Sequence, residues 1–296
     1  MELEDKHKVL QDYQDGCIIM HHMEQTLSPS PSYRKYLHGT IYLAAAIVLF
    51  GWLWNTPEGL LGKADAVGYA VCHRIDVRSF SLGDRPISLC ARCTGMYLGA
   101  LLGLAFQGIV ARRAGKFPPR HVIAALTGLV VIFGIDGVNS FAHLIPGLPR
   151  LYEPNNIFRI LTGTAFGIVM SAAVYPVFHQ TMWTRWEERP ALAGLRSLVI
   201  LLLLGAGVAA LVITENPIIL YPLALLSAAG VLVILSMIYA MLWLIVLRKE
   251  NRYTHWPQMI TPLVGGFAMG LLQIALLDLG RYMLTGTWEG FHVLLG

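Results

Sequence analysis

The chain has 296 residues, 55% hydrophobic and 14% charged, with a mean hydropathy of +0.58. A soluble protein carries roughly 25% charged residues, so this deficit excludes an ordinary soluble domain and points to a lipid bilayer. The net charge of +4 is the modest excess that membrane proteins place in their loops, and no nucleic-acid partner is expected.

In chain order, residues 1–39 read as a polar cytoplasmic arm broken by SPSPS. Cys17, His21 and His22 lie close together there, but no second ligand pair follows, so the arm is read as carrying scattered ligand-capable residues. The first apolar run begins only near Thr40, behind a segment without a small-residue cleavage site, so no cleavable signal peptide is expected. Residues 40–296 read as one transmembrane helical domain. The length criterion predicts spans near 40–54, 87–111, 121–145, 156–180, 196–214, 217–247 and 259–284. The first is short and can be extended through Tyr36 to Gly39. Residues 55–88 form a long loop, within which LLGKADAVGYAV could lie flat at the interface. The fold class is therefore all-α: a polytopic integral membrane bundle of about seven helices.

Loop charge sets the expected orientation. Arg112, Arg113, Lys116 and Arg120 form one basic loop, Arg185, Arg189 and Arg196 lie in a second, and Arg248, Lys249 and Arg252 in a third. Of the alternate loops, residues 146–155 hold only Arg150 and the turn at Glu215–Asn216 holds no base. The positive-inside rule puts the basic loops in the cytoplasm, and Arg34 and Lys35 agree. The N-terminus is then inside, the C-terminus outside, and the 55–88 loop outside.

Polar residues inside spans are costly and mark sites. Asp136, Asn139 and His143, at i, i+3 and i+7, share a face of the third span. Arg159 and Thr162 begin the fourth, and Asp278 and Arg281 lie near the end of the seventh, with Gln273 deeper. Asp136 with Arg159, or Asp278 with Arg281, could instead be pairs that fix helix register. Gly95, Gly99 and Gly103, Gly163 with Gly167, and Gly266 with Gly270 have the four-residue spacing of close helix contact.

The segment CHRIDVRSFSLGDRPISLCARCTGMYLG, from Cys72 to Gly99, holds three of the four cysteines. Cys90 and Cys93 form a C-x-x-C where the second span begins. Three uses fit this pattern. Thiolates three apart can share a metal, with Cys72 and His73 completing the shell that zinc prefers, or with a water or His143 as the fourth donor. A C-x-x-C at a helix N-terminus can also be a redox pair, assisted by Arg92 and resolved by Cys72. A structural disulfide from Cys72 to Cys90 or Cys93 is the third. Strand-like residues on both sides of Gly83–Asp84 predict a short hairpin. Arg74, Arg78, Arg85 and Arg92 can bind a carboxylate, phosphate or lipid headgroup. Internal salt bridges to Asp65, Asp76 and Asp84 are their expected use.

CHRIDVRSF followed by CARCTGMYLG resembles the signature of the DUF2085 family of predicted membrane proteins, as do Asp136–Gly137 and NNIFRILTG, with Asn155, Asn156, Arg159, Thr162 and Gly163. The resemblance spans roughly Tyr69 to Gly167. The family has no known function. What the resemblance implies is a single constellation of Cys72, His73, Cys90, Arg92, Cys93, Asp136, Asn156 and Arg159.

The leading expectation is a zinc site at the extracytoplasmic face. Cys72, Cys90 and Cys93 are its ligands, and His73 is a fourth ligand or an orienting neighbour. Arg92, Asp136, Asn139, His143, Asn156, Arg159 and Asp278 are the surrounding polar set. The alternatives are a thiol–disulfide oxidoreductase and a non-enzymatic subunit of a larger membrane complex. No phosphate-binding loop, haem-attachment C-x-x-C-H or hydrolase motif is present, which adds weight to the last. The expected surroundings are the lipid bilayer and other membrane subunits, and the expected location is a bacterial cytoplasmic (inner) membrane.

Overall fold

The structure, a computed structural model, describes residues 31–145, 149 and 151–289, with side chains from Tyr36 onward. Cys17, His21, His22, Arg150 and the Arg34 and Lys35 side chains lie outside the described residues. The chain divides into a unit of residues 1–43, described only by the opening of its first helix, and a unit of residues 44–296 that holds all the other elements.

Eight helices are described: α1 (Pro31–Asn55), α2 (Gly59–Val71), α3 (Ala91–Val110), α4 (Arg120–Ala142), α5 (Asn156–Met182), α6 (Leu195–Ile213), α7 (Pro217–Val246) and α8 (Ile260–Thr285). All but α2 are long and apolar enough to cross a membrane. The ends have local causes. Asn155 Oδ1 accepts the Phe158 N–H (2.8 Å), and Asn216 Oδ1 accepts the Ile218 N–H (3.0 Å) with Pro217 in first position, so α5 and α7 begin on capped turns. Gly286, at φ +70°, closes α8.

The predicted hairpin is present. β1 (Ser81–Leu82) pairs antiparallel with β2 (Arg85–Pro86) across Gly83, whose φ of +65° suits the turn. A second pairing has no counterpart in the sequence reading: β3 (Ala114–Lys116) lies parallel to β4 (Glu187–Pro190), and Trp183 bridges to Tyr253. The Thr184 N–H also donates to the Tyr253 carbonyl (2.9 Å). These contacts tie together the three basic loops at one end of the helices, where the chain leaves α3, α5 and α7. The cysteine segment, the start of α5 and the close of α8 lie at the other end.

The tightest seam runs between α3 and α5. A Cβ on Gly99 would stand 2.3 Å from the Thr164 carbonyl oxygen, one on Gly163 2.1 Å from that of Arg92, and one on Gly167 2.0 Å from that of Met96. Only glycine permits backbones that close, as the four-residue spacing predicts. Gly266 meets Ser236 of α7 in the same way, at 2.3 Å.

Candidate functional site

Three local features bring the cysteines together. Cys72 directly follows the last turn of α2, its N–H donating to the Gly68 carbonyl (2.8 Å). Gly68 lets that turn press on the segment between β2 and α3, since a Cβ there would lie 1.9 Å from the Ser88 carbonyl oxygen. Cys90 is the N-cap residue of α3 and Cys93 lies in its first turn, so both sulfurs project at the helix start.

The sulfurs of Cys72, Cys90 and Cys93 all lie within 4.8 Å of one another, and all three are free thiols. The Cys90 backbone N–H points at the Cys72 sulfur (3.4 Å). Behind them is an apolar cluster that includes Trp52, Val67, Leu89, Val231 and Leu271. Hydrogen bonds from Cys90 and then Cys93 hold the Cys72 thiol well below its ordinary pKa, against the opposing effect of burial. The Cys72 sulfur and burial push Cys90 up to about 12. The thiol shifted down, Cys72, lies outside the C-x-x-C.

His73 does not join the sulfur group. Its Nδ1 accepts the Ile75 N–H (3.1 Å), and burial lowers its pKa. Arg281 clamps the segment from α8, donating to the carbonyls of Tyr69 (2.6 Å) and Cys72 (2.7 Å) while stacking over the Tyr69 ring at 4.1 Å.

A second cluster adjoins the thiols. Asp136, only 2% exposed, pairs with Arg92 rather than Arg159: Arg92 Nε donates to Oδ2 (3.0 Å), and Nη2 donates to both Oδ2 and the Ser140 hydroxyl. Thr162 donates to Oδ2 (3.2 Å) and the Tyr152 hydroxyl to Oδ1 (2.6 Å). Burial, reinforced by that bond, pushes the Tyr152 phenol up to about 12, so it stays a donor at neutral pH. Asn139 fixes the loop above, its amide donating to the Tyr152 carbonyl (3.0 Å) and its Oδ1 accepting the Leu151 N–H (2.8 Å). Arg159 Nη1 donates to Asn156 Oδ1 (2.8 Å), and the Asn156 amide reaches the carbonyls of Val77 and Ser79, both at 3.3 Å. His143 caps α4, its Nδ1 without a hydrogen-bond partner among the described residues.

The remaining predicted residues lie apart. Asp278 Oδ2 accepts the Trp52 indole N–H (3.1 Å), and Oδ1 has no hydrogen-bond partner among the described residues. Trp52→Phe should therefore strip the last donor from a buried carboxyl and cost about 1–3 kcal/mol; thermal unfolding in detergent measures it, and an unchanged midpoint would contradict it. Of the loop aspartates, Asp65 takes the salt bridges, with Arg74 (3.2 Å) and Arg85. Ser140 and Tyr152 escaped the sequence reading, as did the bond between Trp52 and Asp278. Ser140 alone carried a usable signal, standing one turn after Asp136.

A model of the family described as predicted membrane protein (DUF2085) matches residues 72–173. An uncharacterized protein of Methanothermobacter thermautotrophicus is 30% identical over 109 residues, which are 37% of this chain and 88% of that protein. The chain belongs to the DUF2085 family. An uncharacterized protein of Methanocaldococcus jannaschii is 27% identical over 150 residues, 50% of this chain and 89% of that protein. No solved structure matches. The matched block opens on Cys72 and includes Cys90, Cys93, Asp136 and Arg159, so this family's shared segment contains both clusters, while Trp52, Asp278 and Arg281 fall outside it.

Proposed function

We propose that this membrane protein holds a zinc ion through Cys72, Cys90 and Cys93, at the extracytoplasmic face of a cytoplasmic membrane. One observation carries the reading: three free sulfurs from two chain segments converge within 4.8 Å. Thiolates bind soft or borderline metals, and zinc accepts three of them readily. An acidic Cys72 favours the deprotonated form that a metal needs. Three protein donors are also the number found where a metal keeps one position for water or substrate, and bound zinc supplies a Lewis acid. The chain's own part is to fix the sulfurs, through Gly68, the start of α3 and the Arg281 clamp. The face follows from the basic loops, which the positive-inside rule puts in the cytoplasm and which lie at the end of the helices away from the thiols.

Metal analysis of the purified protein tests this. About one zinc per chain is expected, falling to background in Cys90→Ser and Cys93→Ser, with the thiols resisting alkylation until a chelator is added. Wild-type protein without metal, or with a Cys90–Cys93 disulfide, would overturn it.

A further inference from the structure

Beside the thiols, the arginine cluster carries more positive charge than its protein partners neutralise. Arg78, Arg92 and Arg159 come from the loop, α3 and α5, and their side chains are shared around a few atoms. Arg78 Nη2 donates to the Ser140 carbonyl (2.9 Å), and Arg92 Nη2 to the Ser140 hydroxyl (2.8 Å). Arg159 holds Asn156, whose amide reaches the carbonyls on either side of Arg78. Arg78 and Arg159 are 6% and 5% exposed, yet among the described residues neither makes an ion pair. Arg159 Nε has no hydrogen-bond partner among the described residues. Asp136 cannot serve them, because Arg92 and Thr162 occupy its Oδ2 and Tyr152 its Oδ1. Counted by ion pairs, two buried guanidiniums are left without a carboxylate, and apart from Asp136 only the neighbouring thiol cluster offsets their charge, a costly arrangement that persists where a ligand completes it.

We propose that Arg78, Arg92 and Arg159 bind a phosphate group, either inorganic phosphate or the monoester headgroup of an acidic lipid. A guanidinium fork matches phosphate oxygens, and a doubly charged anion balances the two spare cations. Half-buried His73 and Asn156 rim the site. The inference stands on the arginines and does not require zinc.

The test uses full-length protein, delipidated in detergent in phosphate-free buffer. Inorganic phosphate is the first probe, read by calorimetry and thermal shift. Native mass spectrometry after reconstitution in phosphatidylcholine vesicles with 10% phosphatidic acid, against phosphatidylcholine alone, is the second. Saturable binding of inorganic phosphate assigns the free ion; retained phosphatidic acid without phosphate binding assigns the lipid. In either case Arg159→Gln and, separately, Arg78→Gln should weaken binding at least tenfold. Without anion, Arg159→Gln should melt no lower than wild type, because it removes an uncompensated charge. A structural arginine would give the opposite sign. No binding of either probe by wild type, or undiminished binding in both variants, would overturn the proposal. Zinc content, measured on the same samples, keeps this result separate from that of the metal site.

Discussion

Asp136→Asn should be among the most damaging single substitutions in this protein, lowering stability by about 3–5 kcal/mol, the usual cost of leaving a buried ion without its partner. Asp136 is the carboxylate that pairs with Arg92, and its charge also acts on Arg159. Replacing it with an amide leaves three cations together, two of them buried, without a carboxylate. Arg92→Leu breaks the same ion pair but should cost less. It leaves a single carboxylate that still accepts from Tyr152 and Thr162 and still feels the field of two arginines. The order of the two losses is therefore the diagnostic. Unfolding midpoints in detergent, compared in phosphate-free buffer, would give it. A larger loss for Arg92→Leu would mean that the arginine acts through packing, such as its stacking over Phe133 at 5.8 Å, and not as one of several competing cations.

The membrane spans were legible because apolar length is a one-dimensional property: predicted and observed boundaries differ by a few residues. The thiol convergence was legible in kind, since a C-x-x-C at a helix start and a nearby cysteine restrict the options. Where His73 points was not, because its Nδ1 takes the Ile75 N–H, a choice made by two residues of backbone geometry. The Asp136 partner is Arg92 and not Arg159, which the sequence offers as one option, for a related reason. Helical spacing put Asp136 and Arg159 at one level, but the α3–α5 seam brings Arg92 closer. Arg78 was expected to pair with loop aspartates, yet Asp65 takes Arg74 and Arg85 while Arg78 turns to the close of α4. Charge counts within a loop cannot report which helix end a side chain will meet. Trp52 and Asp278, 226 residues apart, could be joined only by the fold.

The α3–α5 seam sets the second large effect. Gly99→Ala should destabilise by about 1–3 kcal/mol, because its new methyl would stand 2.3 Å from the Thr164 carbonyl oxygen, and backbone cannot yield as a side-chain tip can. Gly108→Ala, further along the same helix with nothing within 4 Å, should instead be neutral or stabilise by up to about 1 kcal/mol, since alanine is the better helix former. The pair isolates packing from helix propensity. The consequence should reach the site. α3 carries Arg92 and Cys93 and begins at Cys90, and α5 carries Arg159, so separating the helices moves two of three sulfurs relative to Cys72 and one arginine relative to the others. With zinc held as proposed, Gly99→Ala should also loosen the metal, with faster loss to a chelator, although no donor atom has been changed and the substitution lies two turns from the nearest cysteine. Equal stability in the two alanine variants would mean that α3 and α5 are not held at backbone contact. Lowered stability with unaltered zinc retention would mean that the thiol centre is anchored by α2 and Arg281 alone.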